Sequence, residues 1–187
     1  MFRLLRRNSI YSDQWLEFYQ DEVVFPDGTK GTYAWAARKN GVGVVVITAD
    51  QKIVLNREYR YVIDAYSWEV PGGGIDAGES LTLAAQRELK EETGIFVAEE
   101  DLVLLGEFYP LNSFNTEKVS VFLAQVNTVQ LHAEGTEQGE SIVEQRLVSF
   151  DEALEMIDSG QMSDALSANA VQMAVRRVGK NTLINRV

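Results

Sequence analysis

The stretch from Gly73 to Ile95 constrains this chain more than any other, because a run of glycines leads directly into a helix with acids on its apolar side. It reads Gly-Gly-Ile-Asp-Ala-Gly-Glu-Ser-Leu-Thr-Leu-Ala-Ala-Gln-Arg-Glu-Leu-Lys-Glu-Glu-Thr-Gly-Ile. On a helical wheel of about 100° per residue, Leu81, Ala84, Ala85 and Leu89 fall on one side, the side expected to face the core. Glu88, Glu91 and Glu92 fall on that same side, while Leu83, Gln86 and Lys90 face away. Most glutamate-rich helices simply present a solvated face, but the phase of this pattern is the reverse. Three carboxylates among apolar neighbours repel one another, at a cost on the order of 1–3 kcal/mol per pair at ~6 Å in a partly screened site. A hard divalent cation with oxygen ligands is the partner such a cluster calls for.

Composition narrows the class. A chain of 187 residues is long enough to bury a real core as one domain, with room for a small appended element. Its net charge of −11 argues against a nucleic-acid or anionic-membrane surface, since both need clustered Lys and Arg. A small anionic substrate remains compatible, because a bound metal reverses the local sign. No apolar run approaches the ~18–20 residues of a membrane span, and the opening Met-Phe-Arg-Leu-Leu-Arg-Arg lacks the apolar stretch of a secretion signal. The absence of cysteine removes disulfides, thiolate catalysis and zinc–sulfur sites, and fits a cytoplasmic protein. The single histidine, His132, sits in a polar, loop-like stretch and argues against a Ser-His-Asp mechanism.

Along the chain, residues 11–38 read as an aromatic-rich hairpin: Trp15 to Phe25, a Pro26-Asp27-Gly28 turn, then Thr29 to Ala37. Val42 to Thr48 is a β-branched run expected to be a buried strand, followed by a strand over Lys52 to Arg60. A short strand, Ser67 to Val70, feeds the glycine loop Pro71 to Gly74. The acidic helix follows, with Gly94 placed to end it. Strands over Leu102 to Tyr109, Lys118 to Gln125 and Ile142 to Ser149 come next, then helices over about Phe150 to Asp158 and Ser163 to Val178. This order predicts an α/β protein with a mixed sheet and helices on both faces.

The spacing within the glycine-to-helix segment is equally specific. Gly73, Glu79, Arg87, Glu88, Leu89, Glu91, Glu92, Gly94 and Ile95 fill all nine fixed positions of a Nudix box, so the chain resembles a Nudix hydrolase. The resemblance implies the α/β/α Nudix sandwich, here over residues 41–187 after an N-terminal β element of residues 1–40. It implies hydrolysis of a nucleoside diphosphate linked to another group, with Mg²⁺ (or Mn²⁺). Glu88 and Glu92, one turn apart, are then the principal metal ligands, with the Gly72 carbonyl as a further one. Glu91 either ligates or supports a ligand, Arg87 fixes a carboxylate, and Glu79 orients the loop or ligates weakly. Proteins of this fold that sense nucleotides without cleaving them commonly lose box glutamates or carry a DNA-binding domain. This chain keeps every box glutamate and lacks basic charge, so an enzyme is expected.

Features outside the box resemble the ADP-ribose pyrophosphatase subgroup. Pro110 lies sixteen residues after Gly94, and Pro110 to Glu117 is similar to that subgroup's proline-to-glutamate loop, though the residues between depart from its usual wording. Asn56-Arg57-Glu58-Tyr59-Arg60 and Trp68-Glu69-Val70-Pro71-Gly72-Gly73 are similar to two further elements, which implies Arg60 as a phosphate or ribose clamp, while the Pro110 to Glu117 likeness implies Glu117 as a substrate contact. GDP-mannose and other nucleotide-sugar hydrolases share much of this wording and remain the alternative. The catalytic base of this subgroup often comes from a later loop, here Asn127 to Glu144 with Glu134, Glu137, Glu140 and Glu144. Glu140-Ser141-Ile142 matches the family's Glu-x-Ile wording, with Glu137 as the other candidate. Two or three strands alone are marginal in water, and the resemblance implies that the N-terminal segment pairs subunits into a homodimer. Trp35 and Tyr33 are then candidates for stacking on the base, or else fill the hairpin's own core.

Overall fold

All eight residues of strand β4 (Gly41–Thr48) are buried, so both faces of that strand must be covered. The computed structural model describes residues 1–131 and 141–184, and the chain divides into two units, Met1–Asn40 with Phe108–Lys118, and Gly41–Glu107 with Val119–Val187.

The first unit is built on a three-stranded antiparallel sheet of β1 (Arg3–Ser12), β2 (Leu16–Val24) and β3 (Lys30–Arg38), in that order. The expected hairpin is present as β2 and β3, closed at Phe25 by hydrogen bonds with Gly28 and Thr29. Strand β1 has no counterpart in the sequence reading. Nine of its ten residues are exposed, so it carries no alternation of apolar and polar positions to betray it. Residues Phe108–Lys118 join this unit; Tyr33 donates to the Ser113 carbonyl at 2.9 Å, and Ala36 exchanges backbone bonds with Phe114 and Thr116.

The second unit continues after β4 with β5 (Lys52–Arg60), β6 (Ala65–Glu69), β7 (Gly72–Gly74) and helix α1 (Leu81–Thr93). It closes with β8 (Val103–Phe108), β9 (Val119–Val126), β10 (Ile142–Ser149), α2 (Phe150–Asp158) and α3 (Ala165–Ile184). The main sheet runs β10-β5-β4-β9-β8, with β6 on β5 and β7 on β4. The sheet is mixed: β4 and β9 are parallel, whereas β10–β5, β4–β5, β4–β7 and β5–β6 are antiparallel. On one face, Ala84, Ala85 and Leu89 of α1 pack with Val42, Val44, Val46, Val54, Phe122 and Ala124. Alternation sends the intervening β4 positions to the other face, where α3 lies so close that a Cβ on Gly43 would meet Leu166 at 2.9 Å and one on Gly106 would meet Met173 at 2.7 Å. This is the expected α/β/α arrangement.

Helix α1 is set by its ends. Ser80 caps it by accepting from the Leu83 N–H, and Gly94 ends it in the left-handed region at φ 72°, donating to the Lys90 carbonyl. Leu81 departs from the wheel expectation: it stands in the first turn and remains 37% exposed. The glycine stretch expected as a loop is also partly strand, because Gly72, Gly73 and Gly74 pair with Gly43, Val42 and Gly41 despite glycine's poor strand propensity.

Candidate active site

Helix α1 holds two of its glutamates inside the protein: Glu88 is 8% and Glu92 7% exposed. Both carboxylates lie against the glycine strand β7. A Cβ on Gly73 would come within 2.6 Å of every atom of the Glu88 carboxylate, so only glycine lets backbone and carboxylate approach this closely. Glu92 Oε2 accepts from the Gly72 N–H at 3.2 Å and from Asn56 Nδ2 at 2.7 Å. Two carboxylates one turn apart thus converge on a stretch of open backbone.

Arg87 organises the other acids. Its Nε and Nη2 donate to the two oxygens of Glu79 at 2.9 Å each, and Nη1 reaches Glu88 at 2.8 Å and Glu91 at 3.0 Å. Nη2 also donates to the Gly74 carbonyl at 2.9 Å. The planar fork of five N–H groups is what allows one side chain to serve so many acceptors. These bonds, Glu79 first, push the Arg87 guanidinium above its ordinary pKa, and Arg87 in turn holds the Glu79 carboxyl below the usual glutamate range. Glu79 also accepts from the Asp76 N–H at 3.0 Å, which ties it into the loop ahead of the helix.

Arg60 ends β5 and is similarly committed. Its Nε donates to Glu69 Oε1 at 2.9 Å, Nη2 bonds Glu69 Oε2, and Nη1 lies 3.0 Å from Glu58. The bonds to Glu69 raise its pKa above the ordinary arginine value. Glu58 and Glu69 are themselves buried, at 8% and 5% exposure, and the sequence reading gave neither a role. Neither did it single out Asn56 or Gln145, which support Glu92. The signal for Asn56 and Glu58 was available, since they follow the apolar run Ile53-Val54-Leu55 at positions that alternate in phase with Val54. Gln145 needed the β10–β5 register, which places it opposite Asn56.

A model of the NUDIX domain family matches residues 37–166, most of the chain. The chain belongs to the Nudix family. It is 29% identical over 170 residues to the "ADP-ribose pyrophosphatase" of Bacillus subtilis (strain 168), covering 91% of this chain and 90% of that protein. It is 28% identical, over the same length and shares, to the "Methanol dehydrogenase activator" of Bacillus methanolicus. A solved structure described as "Crystal structure of ADP compounds hydrolase" superposes with a TM-score of 0.80 at 22% identity, covering 96% of this chain and 95% of that one, a likeness of fold.

The protein is therefore a Nudix hydrolase resembling the ADP-ribose pyrophosphatases, a family whose members generally use divalent metal ions. The donors gathered here suit such an ion, being carboxylate and backbone oxygen throughout. Among the described residues no three acidic, histidine or cysteine side chains form a ready-made cage.

The remaining candidates fall elsewhere. Glu137 and Glu140, together with Glu134 and His132, lie outside the described residues. Glu144 is described and pairs with Arg146 at 2.9 Å and Arg57 at 3.5 Å. In the first unit, Glu117 pairs with Arg38 at 3.5 Å. The Trp35 ring is stacked on Tyr19 at 4.6 Å, lies 4.7 Å from the Arg7 guanidinium and donates through Nε1 to the buried Asp21 carboxylate. Tyr33 makes an edge contact with Phe2. Both rings thus have partners within their own unit. No helix among the described residues is long and apolar enough to cross a membrane.

Proposed function

We propose that this Nudix hydrolase cleaves, with Mg²⁺ (or Mn²⁺) as cofactor, the diphosphate of ADP-ribose, yielding AMP and ribose 5-phosphate. The observation that carries the reading is the convergence of Glu88 and Glu92 on the Gly72–Gly74 backbone. When bound, the cation neutralises diphosphate charge and lowers the pKa of a coordinated water. Glu88 and Glu92 would hold it, with the Gly72 carbonyl. Arg87 keeps Glu88, Glu91 and Glu79 in register, so the acids stay oriented without drifting toward solvent. Arg60 directs three nitrogens at Glu58 and Glu69, and a guanidinium carries five N–H donors, which leaves donors for a phosphate or ribose oxygen.

Glu140 is the general base in this reading, with Glu137 as the alternative. Its neighbour Ser141 is bonded to Tyr59 through both its hydroxyl, 2.7 Å, and its carbonyl, 3.2 Å, beside Glu58 and Arg60. Glu117 contributes to substrate binding from the Pro110–Glu117 loop. The first unit pairs two copies of the chain, and Trp35 and Tyr33 stack on the base. The net charge and the lack of cysteine support a cytoplasmic setting and a small nucleotide as partner, not nucleic acid or membrane.

The choice of ADP-ribose rests on the Pro110 spacing, on Arg60 and on the full-length likeness to the Bacillus subtilis protein. It is tested with a panel of nucleoside diphosphate sugars and Mg²⁺, scored by phosphate released after alkaline phosphatase, which attacks the products but not the intact diesters. We expect ADP-ribose to give the highest kcat/KM. A tenfold preference for GDP-mannose would reject the substrate assignment and leave the family membership intact.

A further inference from the structure

Strand β5 buries an amide where a hydrocarbon would serve the core better. Asn56 is fully buried and follows Ile53, Val54 and Leu55, each also fully buried. A buried amide costs about 1–3 kcal/mol unless its bonds are made, so its partners indicate what it is for. Nδ2 donates to Glu92 Oε2 at 2.7 Å, and Oδ1 accepts from Gln145 Nε2 at 3.0 Å. The same Gln145 nitrogen donates at 2.7 Å to the backbone carbonyl of Glu92, in the last turn of α1.

The direction of this chain of amides is forced by its end. Turning Asn56 over would set its carbonyl oxygen against the Glu92 carboxylate, and turning Gln145 over would crowd its oxygen against two others. Gln145 accepts a cost for this orientation: its Oε1 is buried and makes no hydrogen bond among the described residues. Both amides therefore send their donors toward Glu92. The Gly72 N–H converges on the same Oε2 at 3.2 Å, so two donors from different elements hold that oxygen. The contrast with Arg87 is chemical. A guanidinium positions a carboxylate by neutralising it, whereas a neutral amide positions it and leaves the full negative charge for a cation.

We propose that Asn56 and Gln145 are positioning residues that hold Glu92 for a divalent cation, Asn56 at the carboxylate and Gln145 both through Asn56 and at the Glu92 backbone carbonyl. The inference rests on Glu92 being a metal ligand. The test reads Mn²⁺ binding to the intact protein without substrate, by electron paramagnetic resonance titration, in Asn56→Leu, Gln145→Leu, the double variant and Glu92→Gln. Asn56→Leu should weaken Mn²⁺ by about 10–100-fold and Gln145→Leu by roughly threefold or more. The double variant should lose less than the product of the two single losses, because Gln145 acts partly through Asn56 and partly through its own bond to the Glu92 carbonyl. A purely structural role lowers the melting temperature and leaves the Kd of the folded protein unchanged. A Kd within threefold of wild type in folded Asn56→Leu, beside a weakened Glu92→Gln, overturns the positioning role alone. An unchanged Kd in Glu92→Gln overturns the metal assignment and this inference with it. Should Asn56→Leu fail to fold, Gln145→Leu, at a half-buried position, decides, and its unchanged Kd overturns the proposal.

Discussion

At the scale of the residue, Arg87 shows why charge alone does not describe this site. Its fork serves Glu79, Glu88, Glu91 and the Gly74 carbonyl at once. Because Glu79 is held below the ordinary glutamate value of 4.5, its pairing contributes fully to the folded state only above that pH and loses the contribution as pH falls through the depressed value. At neutral pH the fork is intact. Lysine keeps the charge but offers one nitrogen, so Arg87→Lys should lower kcat by about tenfold or more. Steady-state kinetics check this, and a wild-type kcat would show that the fork is dispensable. The acids of this site were legible in the sequence because Glu88 and Glu92 share the phase of Ala84, Ala85 and Leu89. Their supporting amides were not, since Gln145 meets Asn56 only through a strand register that no local pattern specifies.

At the scale of the element, the Gly72–Gly74 strand and α1 work as a pair. A Cβ on Gly73 would lie 2.5 Å from the Glu88 carboxyl carbon, closer than any relaxed contact permits. Gly73→Ala should therefore displace Glu88 and reduce turnover by at least about tenfold, as loss of a precisely held ligand does, while the circular dichroism spectrum stays that of the wild type. Wild-type turnover in that variant would mean that Glu88 is not held where the reaction needs it. Helix α1 was readable because its signals are local: Ser80 at one end, Gly94 at the other and apolar residues at helical spacing between. Strands β1 and β7 were not readable, one being almost wholly exposed and the other all glycine. Each is a strand because of its neighbour, β2 and β4 respectively.

At the scale of the whole molecule, the β-branched run of β4 and the order of elements were enough to foresee a mixed sheet clad by helices. The grouping of Phe108–Lys118 with Met1–Asn40 was beyond reach, because it depends on bonds between residues some eighty positions apart in sequence, such as Tyr33 to Ser113. The proposed pairing of two chains through the first unit predicts a dimer in sedimentation velocity at micromolar concentration, and a monomer would refute it. If Trp35 stacks on the base across that dimer, Trp35→Ala should raise KM and leave the sedimentation coefficient unchanged; an unchanged KM returns the ring to its partners Tyr19 and Arg7. The central claim is that α1 carries a metal-dependent diphosphate hydrolase through Glu88 and Glu92. Its most direct test is AMP formation from ADP-ribose across a Mg²⁺ titration, in the wild type and in Glu92→Gln, which keeps volume and removes charge. The account predicts no turnover without the cation and a loss of about 10²-fold or more in the variant at saturating Mg²⁺; turnover near that of the wild type in Glu92→Gln would contradict it.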